Sequence, residues 1–120
     1  MKFLIVDDSK VARKKLEKYI TSLGYEVIAH ACDGLEAIDK AKELQPDIIT
    51  MDLEMPNMKG TIASKEILTL NKNINIILIT SLVDKKELIE ALKVGVKKIL
   101  QKPVKQETFQ ATIQDLIEGR

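Results

Sequence analysis

Apolar positions along the chain alternate between two spacings. Five short apolar runs stand out: Phe3–Val6, Val27–Ala31, Ile48–Met51, Ile74–Ile79, and Lys98–Leu100 with its neighbours. They are rich in Ile and Val and short, as strands covered on both faces are. Between them the apolar residues recur at helical spacing. Ala12, Leu16, Ile20 and Leu23 form one stripe, and Gly24 is placed to end that helix. Ala37, Ile38, Ala41 and Leu44 form a second, which stops before Pro46. Ala63, Ile67 and Leu70 form a third, Leu88, Ala91 and Leu92 a fourth, and Phe109, Ile113, Leu116 and Ile117 a fifth. Two helix starts carry a capping-box pattern, Asp33 with Glu36 and Asp84 with Glu87.

Strand followed by helix, repeated five times, predicts parallel strands joined by right-handed crossovers. The expected fold is α/β: a doubly wound parallel sheet between two helix layers, a three-layer sandwich. A chain of 120 residues fits one domain over 1–120. No linker, low-complexity segment or repeat interrupts the alternation. Hydrophobic residues make up 45% but aromatics only 3%, so the core must be Ile, Leu, Val and Ala. The 19 lysines and arginines nearly cancel the 18 aspartates and glutamates, which removes a bulk-charge argument for nucleic acid. No apolar run approaches the roughly 18 residues of a membrane span. The apolar start meets Asp7 too soon for a signal peptide. Cys32 alone cannot close an internal disulfide and suits a reducing compartment. A soluble cytoplasmic domain with no membrane and no direct nucleic-acid partner is expected.

In open α/β sheets, ligands bind beyond the carboxyl ends of the strands. Past the first, third, fourth and fifth runs stand Asp7-Asp8, Asp52, Thr80-Ser81 and Lys102-Pro103. Each has an ordinary explanation alone: Asp7 or Asp8 as a helix cap, Asp52 in an Asx-turn, Thr80 bonded to its own backbone, Lys102 solvated. Together they conflict with electrostatics, because three carboxylates at one mouth repel, which raises at least one pKa or demands a cation. All-oxygen donors favour a hard divalent ion, with magnesium the natural candidate. Asp52 could then carry a phosphoryl group as an acyl phosphate. Lys102 and the Thr80 hydroxyl would each take one phosphoryl oxygen, helped by loop amides. Asp8 would bind the metal directly, and Asp7 would hold its waters or bind alongside. The loop Asp52-Leu53-Glu54-Met55-Pro56-Asn57-Met58-Lys59-Gly60 would be stiffened by Pro56 and released by Gly60, with Met55 and Met58 packing it onto the domain.

"FLIVDDSKVAR", "DIITMDLEMPNMKG", "IILITS" and "ILQKPV" resemble the receiver domains of two-component response regulators. In size and layout the chain is similar to the stand-alone chemotaxis members of CheY type. Separations of 44, 28 and 22 residues between Asp8, Asp52, Thr80 and Lys102 fit that pattern. The resemblance implies a flavodoxin-like (βα)5 sheet in the order 2-1-3-4-5. It implies that Asp52 accepts a phosphoryl group from a sensor histidine kinase in a magnesium-dependent reaction. Asp7 and Asp8 would be the acidic pair, and the backbone carbonyl of Glu54 a further metal ligand. Thr80 would be the switch hydroxyl and Lys102 the phosphate-binding lysine, before a cis Pro103. Phosphorylation would alter the face made by the fourth helix, fifth strand and fifth helix, which binds a downstream target; a phosphatase is a further possible partner. Such a protein is no enzyme for an outside substrate and catalyses only its own phosphorylation and dephosphorylation.

Some positions depart from the family pattern. Ile99 stands where an aromatic residue is common, so switching is expected to rely on the segment after Thr80 and the fourth helix, with Ile99 as packing only. Ser81 replaces the usual alanine and offers a rival hydroxyl. Glu54 would place a carboxylate near the phosphate, with no partner in Leu82. Lys10, Arg13, Lys14, Lys15 and Lys18 would form a solvated basic face or a docking surface for an acidic kinase or phosphatase. His30 is expected to be a strand-exit side chain without catalytic work, and Cys32 a buried or half-buried thiol. Two rival functions fare worse. A dehalogenase-type phosphatase needs Asp-x-Asp and a cap region; this chain has Asp7-Asp8-Ser9 and no room. A flavin carrier needs a hydroxyl- and glycine-rich first loop and aromatic walls. A stand-alone regulator is expected over an excised receiver, without DNA binding by this segment.

Overall fold

The computed structural model describes residues 1–81 and 84–119. Its elements are β1 (Lys2–Val6), α1 (Lys10–Ser22), β2 (Glu26–Ala31), α2 (Gly34–Leu44), β3 (Ile48–Asp52), α3 (Gly60–Leu70), β4 (Asn75–Thr80), α4 (Lys85–Val94), β5 (Lys98–Gln101) and α5 (Gln106–Glu118). The five strands are parallel and ordered β2-β1-β3-β4-β5. Because side chains alternate across a strand, each strand feeds both cores. Leu4, Val6, Ile49, Met51, Ile76 and Leu78 pack against Ala37 and Ala41 of α2, Ala63 and Ile67 of α3, and Ala91 of α4. Phe3, Ile5, Ile48, Ile77 and Ile79 meet Leu16 and Ile20 of α1 and Phe109 and Ile113 of α5. Burying each of these larger side chains stabilises the fold by about 1.5–3 kcal/mol.

The edge strands correct one expectation. β1, β3 and β4 are buried on both faces, but β2 and β5 are largely half-buried. They sit at the two margins of the sheet, where the helix layers end. Helix stripes also fade at their ends: Leu44, Leu70 and Ile117 lie in last turns and are exposed. Leu92 of α4 is 55% exposed beside a fully buried Ala91, so the fourth stripe is narrower than predicted and leaves Leu92 and Ile89 facing out. Among the described residues, no helix is long and apolar enough to cross a membrane.

Capping differs in detail from the pattern. Ser9, not Asp7 or Asp8, caps α1, accepting from the Ala12 amide at 3.2 Å. Asp33 caps α2 through the Glu36 amide at 2.8 Å, and the Glu36 carboxylate returns to the Cys32 amide at 2.7 Å, one residue further back than a standard box. Asp84 caps α4, but Glu87 turns away to Lys59 at 2.6 Å because an ammonium outcompetes an amide. Cys32 is exposed, contrary to the expectation of a buried or half-buried thiol. It lies past the last buried residue of β2, where the chain turns outward into the α2 cap.

Candidate functional site

The ladders of the three interior strands end at one rim. Asp52 is the last residue of β3 and pairs with Ile79, while Thr80 closes β4 opposite Gln101. Asp7 follows β1 directly, tied by its amide to the Ala31 carbonyl at 3.1 Å. Lys102 leaves β5 with its amide on the Thr80 carbonyl at 2.8 Å, and the Lys102–Pro103 peptide is cis. These attachments bring residues far apart in the chain into contact. Lys102 Nζ lies 3.2 Å from Asp7 Oδ2 and 3.4 Å from Asp52 Oδ1. Carboxylate oxygens of Asp7, Asp8 and Asp52 lie within 4.8 Å of one another. Asp7 and Asp52 are buried and Asp8 is exposed.

Both buried carboxylates do make the ordinary Asx bond. Asp7 Oδ1 accepts from the Ser9 amide at 2.9 Å, and Asp52 Oδ1 from the Glu54 amide at 3.3 Å. That bond occupies one oxygen of each group. Asp7 Oδ2 goes to Lys102, and Asp52 Oδ2 has no hydrogen-bond partner among the described residues.

The loop between β3 and α3 is held where its sequence suggested. The Gly60 amide donates to the Leu53 carbonyl at 2.9 Å. A Cβ at Gly60 would stand 2.2 Å from the Asp52 carbonyl oxygen, so only glycine allows this approach. Met55 and Met58 pack against the α2–α3–α4 core. Met58 lies over Gly34, where a Cβ would come within 2.9 Å of its sulfur.

The charges do not balance. Burial, and secondly the neighbouring Asp7 carboxylate, push the Asp52 carboxyl up to about 6 despite Lys102. Burial pulls the Lys102 ammonium down, but Asp52 and Asp7 together outweigh it and hold it above the usual lysine range. One ammonium thus faces three carboxylates, two of them desolvated. An all-oxygen donor set short of positive charge fits a hard divalent cation.

Thr80 and Ser81 are engaged elsewhere. The buried Thr80 hydroxyl donates to Glu54 Oε1 at 2.8 Å, and the Ser81 hydroxyl to Glu54 Oε2 at 2.9 Å. The Ser81 amide also donates to Oε1, at 3.1 Å. Partial burial of Glu54 opposes ionisation, but these bonds from Thr80 and Ser81 hold its carboxyl below the usual range. Ser81 is therefore a companion of Thr80 on Glu54. Leu82, expected to offer Glu54 no partner, lies outside the described residues. Ile99 is half-buried against the α2–α3–α4 core.

The basic face of α1 needs a correction. Lys10, Lys14, Lys15 and Lys18 are exposed, but Arg13 is half-buried and turned inward to the Asp7 carbonyl. His30 is not a bare strand exit: its ring lies between Arg13 and Glu17. Nothing in the spacing marked that contact, which depends on how α1 crosses β2. The Lys59–Glu87 pair, joining the β3–α3 loop to α4, was equally hidden.

Comparison with known proteins adds a family to this geometry. The model described as "Response regulator receiver domain" matches residues 3–114. The chemotaxis protein CheY of Thermotoga maritima is 46% identical over 100 residues, 83% of each chain. CheY of Treponema pallidum is 40% identical over 104 residues, 84% of this chain and 72% of that one. Among solved structures, the CheX-CheY-BeF3-Mg+2 complex from Borrelia burgdorferi superposes with a TM-score of 0.94 at 32% identity, covering 98% of this chain and 89% of that one.

Proposed function

The chain belongs to the response regulator receiver domain family, the phosphoacceptor switches of two-component systems, and on that premise we propose that residues 1–120 form one receiver unit phosphorylated on Asp52. The observation that carries this is the buried Asp52 carboxylate with Lys102 Nζ at 3.4 Å and two further carboxylates beside it.

Asp52, ionised at neutral pH, attacks the phosphorus of a phosphohistidine on a sensor histidine kinase. The P–N bond breaks in line as the O–P bond forms, the electron pair returns to the imidazole nitrogen, and Asp52 becomes an acyl phosphate. The Lys102 ammonium takes one phosphoryl oxygen, exchanging its contacts with Asp7 and Asp52 for a stronger one. The Thr80 hydroxyl takes another by leaving Glu54. Asp7, Asp8, Asp52 and the Glu54 backbone carbonyl would hold Mg2+. When bound, the ion supplies positive charge that offsets both the carboxylates and the phosphoryl oxygens. Water later hydrolyses the acyl phosphate, so the chain catalyses only its own phosphorylation and dephosphorylation.

An apolar cleft lined by Ala12, Leu16, Pro103 and Val104 opens beside Asp7 and Lys102 and suits the incoming kinase. On the α4–β5–α5 face, the exposed Ile89 and Leu92 suit a target that phosphorylation engages. The CheY relatives favour a chemotaxis role in the cytoplasm. The Borrelia burgdorferi CheY, solved with CheX, BeF3 and Mg+2, supports a protein partner for this chain as well.

Intact mass after incubation with acetyl phosphate tests this. One phosphoryl group should be gained with magnesium, and none in Asp52→Asn or with EDTA. A wild-type chain that gains no mass under any condition would overturn the assignment.

A further inference from the structure

Arg13 of α1 is half-buried and turned toward the site, and it reaches a backbone carbonyl there and not a carboxylate. Its Nη1 donates to the backbone carbonyl of Asp7 at 2.6 Å. That carbonyl belongs to the peptide joining Asp7 to Asp8. A peptide is planar, so a bond that fixes its oxygen orients the Cα atoms on both sides, each carrying a carboxylate of the acidic pair. The carboxylate oxygens of Asp7 have other partners, the Ser9 amide and Lys102.

Arg13 is held in turn. Its Nε donates to His30 Nδ1 at 3.2 Å, and His30 Nε2 lies 2.6 Å from Glu17 Oε1. A ring nitrogen that accepts from a guanidinium carries no proton, so the imidazole proton sits on Nε2 and is donated to Glu17. Arg13 and Glu17 are four residues apart and share a face of α1. The backbone of His30 is fixed by the β1–β2 ladder and by Lys40 Nζ on its carbonyl.

We propose that Glu17, His30 and Arg13 form a positioning relay that clamps the Asp7–Asp8 peptide and pre-sets the acidic pair for its divalent cation. The proposal rests on the phosphoacceptor reading above. None of the three residues touches the reacting atoms. The relay opposes the mutual repulsion that would otherwise splay the two neighbouring carboxylates, and it does so without using Lys102, which is needed by the phosphoryl group. Outer partners of a metal site act in this way, and their loss costs affinity for the ion.

The test is a magnesium chloride titration by calorimetry on the whole chain, with urea midpoints measured in parallel. Arg13→Gln should weaken magnesium binding about tenfold. Arg13→Lys should do the same, because one ammonium cannot serve both the carbonyl and the imidazole. His30→Leu should weaken it about threefold, while His30→Gln should restore it, since the amide oxygen accepts from Arg13 and the amide NH2 donates to Glu17. At saturating magnesium, the phosphorylation rate of every variant should return to within about twofold of wild type, because only the cation's affinity has changed. The half-exposed His30 pair keeps the test informative should an Arg13 variant fail to fold. Unchanged magnesium affinity in Arg13→Gln beside a wild type that binds would overturn the relay alone. Equal losses in His30→Gln and His30→Leu would also overturn it. A wild type that binds no magnesium would overturn the phosphoacceptor reading and the relay with it.

Discussion

Gly60 has the least latitude of any residue at the site, because the Asp52 carbonyl oxygen occupies the place where a Cβ would stand. Gly60→Ala should cost about 3 kcal/mol of stability by urea denaturation, since backbone faces the added methyl and nothing flexible can yield. Asp52 is costly in another way. Its folded-state pKa of about 6 lies above the ordinary 3.8, so the folded chain holds that proton more tightly than the unfolded one. The stability this contributes is present below about pH 4 and is lost as pH rises through about 6. Asp52→Asn should therefore be more stable than wild type at about pH 7.5, by roughly 1–2 kcal/mol, with the gap closing toward about pH 4. Urea midpoints at the two pH values check this; a constant gap would show that Asp52 is not the titrating group. The residues reached only through the fold are Arg13, His30 and Glu87, whose partners lie on other elements. Residue type marked Asp7, Asp8, Asp52 and Lys102 as chemistry; for Arg13 and His30 it marked nothing beyond charge and polarity.

Two elements meet where switching would start, the β3–α3 loop and the junction between β4 and α4. Glu54 holds both hydroxyls of the Thr80-Ser81 pair, and Lys59 holds Glu87 of α4. Glu54 thus competes with a phosphoryl oxygen for the Thr80 hydroxyl. Glu54→Ala should raise the phosphorylated fraction at limiting acetyl phosphate about fivefold, the equivalent of roughly 1 kcal/mol for one charge-assisted hydrogen bond. An unchanged or reduced fraction, read by intact mass, would show that Thr80 is not in competition. Ile99 belongs to packing on this view. Ile99→Ala should cost about 1–2 kcal/mol for a half-buried site, while the amide spectra of phosphorylated and unphosphorylated protein still differ as in wild type. Loss of that difference would make Ile99 part of the switch. At this scale the apolar spacing located every strand and helix, and missed what sits at their ends. The second capping box opened because Lys59, distant in the chain, offered Glu87 a better partner than its own helix.

For the whole molecule, the site is a place where desolvated negative charge is gathered beyond the ends of parallel strands, and a cation should relieve it. Magnesium at about ten times its Kd should raise stability by roughly 1.4 kcal/mol, a rise in Tm of a few degrees in thermal unfolding. EDTA should reverse it, and Asp8→Asn should largely abolish it. A Tm indifferent to magnesium would mean that the carboxylates tolerate one another without it.

Short continuous apolar runs alternating with stripes spaced about 3.6 residues were enough to determine the layered α/β fold, because burial between two helix layers demands that pattern of any chain adopting it. Strand-end position then marked Asp7, Asp8, Asp52, Thr80 and Lys102 as neighbours. Tertiary structure decided the rest: which strands became half-buried edges, that Cys32 faces out, that Glu54 holds Thr80, and that Arg13 reaches the Asp7 carbonyl. Such contacts depend on crossing angles and distances between elements, and local spacing carries no record of those.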